Sequence, residues 1–197
     1  MATEFNLSWD SAALSTKSNQ VDANFMKLKQ GDNVIRIVAN PSKIESHWEP
    51  TLDGSTRRVI CLGPKCPICR KGGKPQRRYQ LKVIDRADGQ VKILEVGITV
   101  ISQIQEYARD PEYGDPTGYD FKIAKTGSNL ETKYTVKPSR TPKPLTEEEK
   151  KLVEESPSIE SLNPVLTVEE IEALNLTILA DSVSDLADTA TSEWDEL

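Results

Sequence analysis

Three cysteines, the only ones in the chain, fall within nine residues at Cys61, Cys66 and Cys69, and the single histidine, His47, precedes the first by fourteen residues. A Cys-x-x-Cys pair in a turn lets two thiolates reach one ion, and a third thiolate with an imidazole completes a Cys₃His set. That is the donor set of a closed, tetrahedral structural zinc site. Gly63-Pro64 before the pair and Gly72-Gly73 after it supply the tight turns such a loop needs. One structural Zn2+ is therefore the expected cofactor. A hydrolytic metal is not expected, because four protein donors leave no open position. A thioredoxin-like role for Cys66-Pro-Ile-Cys69 would need a helix to follow, and Arg70-Lys-Gly-Gly-Lys-Pro75 cannot propagate one.

Around this knuckle the charge is one-sided. From residue 54 to residue 84 there is no Asp or Glu, but nine bases: Arg57, Arg58, Lys65, Arg70, Lys71, Lys74, Arg77, Arg78 and Lys82. Nine uncompensated cations repel one another unless an anion is present, so a phosphate track is expected in place of a merely solvated loop. Aromatic residues are interleaved with the charge: Trp48 beside the histidine, Tyr79 after Arg77-Arg78, and Tyr119, Phe121 and Tyr134 further on. Cations for the backbone and flat rings for unstacked bases are what single-stranded nucleic acid requires. Arg36 and Lys122, each within a run that reads as a strand, join the expected contact set. Tyr119 and Phe121 share a strand face, so the core is the alternative for both.

The elements that must position these groups follow from period and turn signals. Asn33–Ala39 is a β-branched run, residues 78–85 alternate, Asp88-Gly89 marks a hairpin, and residues 90–96 return. Ile98, Ile101, Ile104, Tyr107 and Ala108 recur at helical steps, and residues 118–124 and 132–136 form two more alternating strands. Strand, excursion, hairpin, helix and hairpin predict a mainly β chain, an OB-fold-like five-stranded barrel with an inserted zinc-binding loop. Beyond it, Pro138, Pro142 and Pro144 stiffen a spacer, and Thr146 and Thr167 open short helices through capping boxes. The expected organisation is a flexible arm at 1–20, a core at 21–140 with its zinc subdomain at 42–78, and an acidic, partly helical and partly disordered region at 141–197.

The acidic region changes what net charge means. Residues 145–197 hold fifteen Asp and Glu against two Lys, a net of −13, while residues 1–144 hold sixteen against twenty-three Lys and Arg, a net of +7, which together give the −6 of the chain. A basic body with an acidic tail is a pattern of nucleic-acid interaction. Its last stretch carries Asp181, Asp185, Asp188, Glu193, Trp194, Asp195, Glu196 and Leu197, where two apolar side chains among acids form a hook for a protein partner.

These motifs resemble the zinc-containing single-stranded DNA-binding, or helix-destabilising, proteins of tailed phages, T-even type. Lys27-Leu-Lys-Gln-Gly-Asp-Asn-Val-Ile-Arg-Ile-Val38 is similar to that family's opening strand, the order of His47, Cys61, Cys66 and Cys69 to its zinc ligands, and residues 115–123 with 133–136 to its late strands. The resemblance implies an OB-fold core with a zinc subdomain and coating of single strands in replication, recombination and repair. It also implies an acidic tail that recruits replication and recombination proteins. Ser15-Thr-Lys-Ser18 is at most a vestige of its basic self-association motif, so only weak self-association on DNA is expected.

Other classes fare less well. No apolar run approaches the roughly 18 residues of a membrane helix, and the N-terminus has no signal-peptide pattern. Clustered thiols without an export signal point to a reducing compartment, the cytoplasm of a host cell if the chain is phage-encoded. No phosphate-binding glycine loop, catalytic triad or paired-carboxylate motif occurs, so an enzyme is not expected. The rivals are a zinc-ribbon adaptor for RNA polymerase or another protein, and a single-stranded RNA-binding protein.

Overall fold

The structure is a computed structural model and describes residues 25–180. The arm expected at 1–20 and the tail residues 181–197 lie outside the described residues. Among the described residues eight strands and five α-helices occur in chain order: β1 (Phe25–Met26), β2 (Gly31–Ile37), β3 (Ser42–Pro50), β4 (Thr56–Ile60), α1 (Pro67–Arg70), β5 (Gln76–Asp85), β6 (Val91–Val96), α2 (Ile98–Arg109), β7 (Asp120–Thr126), β8 (Lys133–Pro138), α3 (Glu147–Glu155), α4 (Val168–Glu172) and α5 (Thr177–Ala180). The chain is mainly β, as its alternating runs require, but there are eight strands where about five were expected. Six lie in the order β1-β6-β5-β2-β7-β8, with β3 and β4 off this path. The sheet is mixed. β1 runs parallel to β6, whereas β2 with β5 and β7, β5 with β6, β7 with β8 and β3 with β4 pair antiparallel. Among the described residues no pairing joins β1 to β8, so the expected barrel is an open sheet.

β3 and β4 were hidden in the excursion between strands. In Ser42–Pro50 the buried positions include Ser46 and His47, so polar residues stand where an apolar alternation would have revealed the strand. Ser46 Oγ accepts from Arg58 Nε of β4 at 3.4 Å, and His47 faces the cysteines, as described below.

The described chain divides into two compact units, one of residues up to Lys43 with Tyr79–Leu162, the other of Ile44–Arg78 with the residues from Asn163 onward. In the first unit one face of the sheet packs Ile35, Leu81, Val83, Leu94, Phe121, Ile123 and Val136 against Val100, Ile101 and Ile104 of α2. α2 also closes the β8 edge. The Gln103 side chain accepts from the Val136 N–H at 2.9 Å and donates to the Tyr134 carbonyl at 3.1 Å, the two bonds a further strand would make. On the other face Arg36 is 1% exposed and donates to Asp120 at 2.7 Å. Arg86 also donates to Asp120, at 2.9 and 3.0 Å, and pairs with Glu149 of α3. Both expected capping boxes form, at Thr146 and at Thr167.

Candidate metal centre and nucleic-acid interface

The second unit brings the four expected donors together. His47 sits on β3 opposite Val59 of β4, its ring on the buried side. Cys61 follows β4 directly, and its N–H donates to the Glu45 carbonyl at 2.9 Å, which extends the β3–β4 register to the thiol. Cys66 opens α1 and Cys69 lies within it; the Cys66 N–H donates to Gly63, whose φ of +62° lets the chain turn back. The donor atoms of His47, Cys61, Cys66 and Cys69 all lie within 4.8 Å of one another. His47 Nε2 is 3.5 Å from Cys66 Sγ and 3.4 Å from Cys69 Sγ, and the Cys61 and Cys69 sulfurs are 3.5 Å apart. A tetrahedral ion with bonds of about 2.0–2.3 Å has edges of roughly 3.5–3.8 Å, close to these separations. The second ring nitrogen, Nδ1, is buried without a hydrogen-bond partner, with Glu49 Oε1 at 4.0 Å.

The electrostatics of the cluster ask for a cation. Burial holds the His47 imidazole below its ordinary value, Glu49 opposing, which favours the neutral ring that a metal would need. Burial would raise the Cys66 thiol, but hydrogen bonds from the backbone N–H groups of Cys69, Leu62 and Ile68 hold it below its ordinary value. Cys69 is pushed up to about 12, first by burial and then by its hydrogen bond with Cys61 and the negative charge of its neighbours. The first thiolate is thus supported by amides, and the next is opposed until a positive ion joins the group. The arrangement is compatible with a metal ion.

The expected nucleic-acid contacts divide sharply. In the second unit Arg57, Lys65, Arg70, Lys71, Lys74, Arg77 and Arg78 are exposed, although Arg77 pairs with Glu45 at 3.0 Å. Trp48 is 51% exposed and faces Arg58 across the β3–β4 ladder, the guanidinium carbon 5.8 Å from the ring centroid. In the first unit several expectations are corrected. Arg36 is buried and spent on Asp120, and Lys82 donates to the Val153 and Ser156 carbonyls at 2.9 and 3.2 Å, at the C-terminal end of α3. Burial correspondingly lowers the Lys82 ammonium. Tyr119 and Phe121 are core residues, 4% and 0% exposed with ring centroids 5.0 Å apart, so neither presents a face to a base. Tyr79 and Tyr134 are half-buried against the same core. Lys122 is exposed and pairs with Asp32 at 3.0 Å.

Two exposed lysines were missed. Lys137 lies directly opposite Lys122 on the β7–β8 ladder, and Lys133 opposite Thr126, so all three share one face. The signal was present: residues 132–146 hold Lys133, Lys137, Arg140 and Lys143 and no acid.

No family model matches the chain, and no solved structure matches it. A curated protein of Escherichia phage T5, named "Probable ssDNA-binding protein", is 26% identical over 137 residues, 57% of this chain and 53% of that protein. The similarity is distant. The chain spans about half the length of that relative.

Proposed function

We propose that this protein binds single-stranded DNA without strong sequence preference. The observation that carries the reading is the second unit's surface, where seven exposed bases, with Arg58 against an exposed Trp48, occupy 22 residues without an acid. Cations meet phosphates, and a tryptophan face meets an unstacked base. The name of the T5 relative supports the same partner. The first unit carries a basic face of its own, with Lys122, Lys133 and Lys137 exposed on the β7–β8 ladder. The order of strand, insertion, hairpin, helix and hairpin supports an OB-like frame, opened at its edge.

Zinc is the metal this reading assigns to His47, Cys61, Cys66 and Cys69, because thiolate and imidazole together suit it best. Bound there, it would tie the β3–β4 hairpin to α1 and supply no catalysis; the protein is read as a binding protein and not an enzyme. The role that follows is coating of single strands in phage replication, recombination and repair, in the host cytoplasm. Residues 181–197 would recruit partner proteins through Trp194 and Leu197 among their acids.

Titration into oligo-dT, oligo-rU and duplex DNA, followed by tryptophan fluorescence, tests the reading. Tight, salt-sensitive binding to oligo-dT over duplex supports it. Preference for oligo-rU would assign the protein to RNA, and weak, salt-insensitive binding to all three would overturn it.

A further inference from the structure

The acidic stretch after residue 162 has an unexpected place. Ile171 of α4 and Leu176, both 0% exposed, share one apolar cluster with Val59, Cys66 and Ile68, and Leu166, Leu174, Ile178 and Leu179 pack against it. Ile68 is one of the two residues between Cys66 and Cys69. Its side chain is fully buried, so the turn that offers Cys66 and Cys69 to the metal rests on this cluster. The backbone repeats the link. The Leu52 N–H donates to the Asn175 carbonyl at 3.0 Å, and Thr51 pairs with Leu176 in an isolated antiparallel bridge. Asn175 adopts φ +52°, the left-handed turn that joins α4 to that bridge. A Cβ on Gly73 would lie 2.5 Å from Ile68 Cγ2 and 3.1 Å from Ile178 Cδ1, so the chain leaving the knuckle is packed closely between them.

We infer that residues 163–180 are positioning residues of the metal centre, Ile171 and Leu176 backing the Cys66–Cys69 turn so that metal retention and docking of this segment are one linked equilibrium. α1 is four residues long, far short of what a helix needs to persist alone. It is held by the donors on one side and the apolar cluster on the other. Linkage is reciprocal: the factor by which loss of docking weakens metal binding is the factor by which loss of metal weakens docking. The segment's own acids, Glu169, Glu170 and Glu172, are exposed, and its attachment runs through the apolar cluster and the two backbone links.

This inference rests on the metal reading of the four donors, and the test separates the two. In the full-length zinc-loaded protein, Ile171→Ala with Leu176→Ala should release zinc to a chromogenic chelator about tenfold faster or more. Ile171→Val should stay near the parent rate, and Ile159→Ala, a core truncation in the other unit, should leave the rate unchanged. Chelation of the unsubstituted protein should raise amide exchange at Leu52, Ile171 and Leu179 and leave Val136 unchanged. Unchanged zinc release in the double variant, or unchanged exchange at those amides after chelation, overturns the link while the metal site stands. A protein that takes up no zinc overturns both.

Discussion

Trp48 and Tyr119 show how one residue type splits by burial. Both are aromatic and near a strand end, yet Trp48 is half open beside Arg58 while Tyr119 is packed against Phe121 and Tyr113. Burial, with Asp115 nearby, raises the Tyr119 phenol. Trp48→Ala should weaken binding to oligo-dT by about 1–3 kcal/mol and leave the salt dependence unchanged, because stacking involves no counterion. Tyr119→Phe should leave DNA affinity where it was. Fluorescence titrations at two salt concentrations read both, and an unaltered affinity of the Trp48 variant would remove that ring from the interface. The same division explains Arg36 and Lys82: Arg36 is buried against the Asp120 carboxylate, and the half-buried Lys82 is engaged by the carbonyls at the end of α3.

At the scale of elements, α3 is fastened to the first unit by charge. Burial would raise the Asp120 carboxyl, but hydrogen bonds and charges from Arg86 and Arg36 hold it below its ordinary 3.8. Glu149 is held below 4.5, first by the Thr146 N–H of the capping box and then by Arg86, with burial opposing. The unfolded chain therefore binds these protons at higher pH than the folded one. The stability they contribute is fully present at neutral pH and is lost as the pH falls through about 4 and below. Unfolding midpoints of the protein measured from about pH 7 to pH 3 should fall in that window. Glu149→Gln should lower the midpoint at pH 7 and make its acid decline shallower; an unchanged pH profile would mean that α3 is held by its apolar contacts alone.

For the molecule as a whole, what matters is the opposition of a basic body and an acidic end. If the exposed bases follow phosphates, log K should fall linearly with log salt. Lys71→Ala with Lys74→Ala should reduce that slope by roughly 0.7 for each phosphate that the variant no longer neutralises. Deleting residues 181–197 removes six acids and no base. If tethering holds them at high effective concentration near the bases, the deletion should tighten binding at low salt. The gain should fade near physiological ionic strength, where exposed charges are screened over roughly 8–10 Å. Equal affinities at low salt with and without the tail would show that it does not compete for the DNA-binding surface.

The gathering of His47, Cys61, Cys66 and Cys69 was legible in residue types and spacing, because two thiols in one turn with a third close by leave few ways to avoid each other. The hairpin at Asp88-Gly89, the helix from Ile98 and both capping boxes were legible for a related reason, since each is specified by side chains within a few residues. β3 was not, because Ser46 and His47 occupy buried positions and their reason for burial lies across the hairpin and in the knuckle. Open or closed sheet depends on whether β1 and β8 find each other, which no local pattern encodes. Nor could the chain order reveal that Arg36 would be covered or that Ile171 would back Ile68. Those residues meet partners about a hundred positions away, and only the packed fold decides which apolar surface or counter-charge each one reaches.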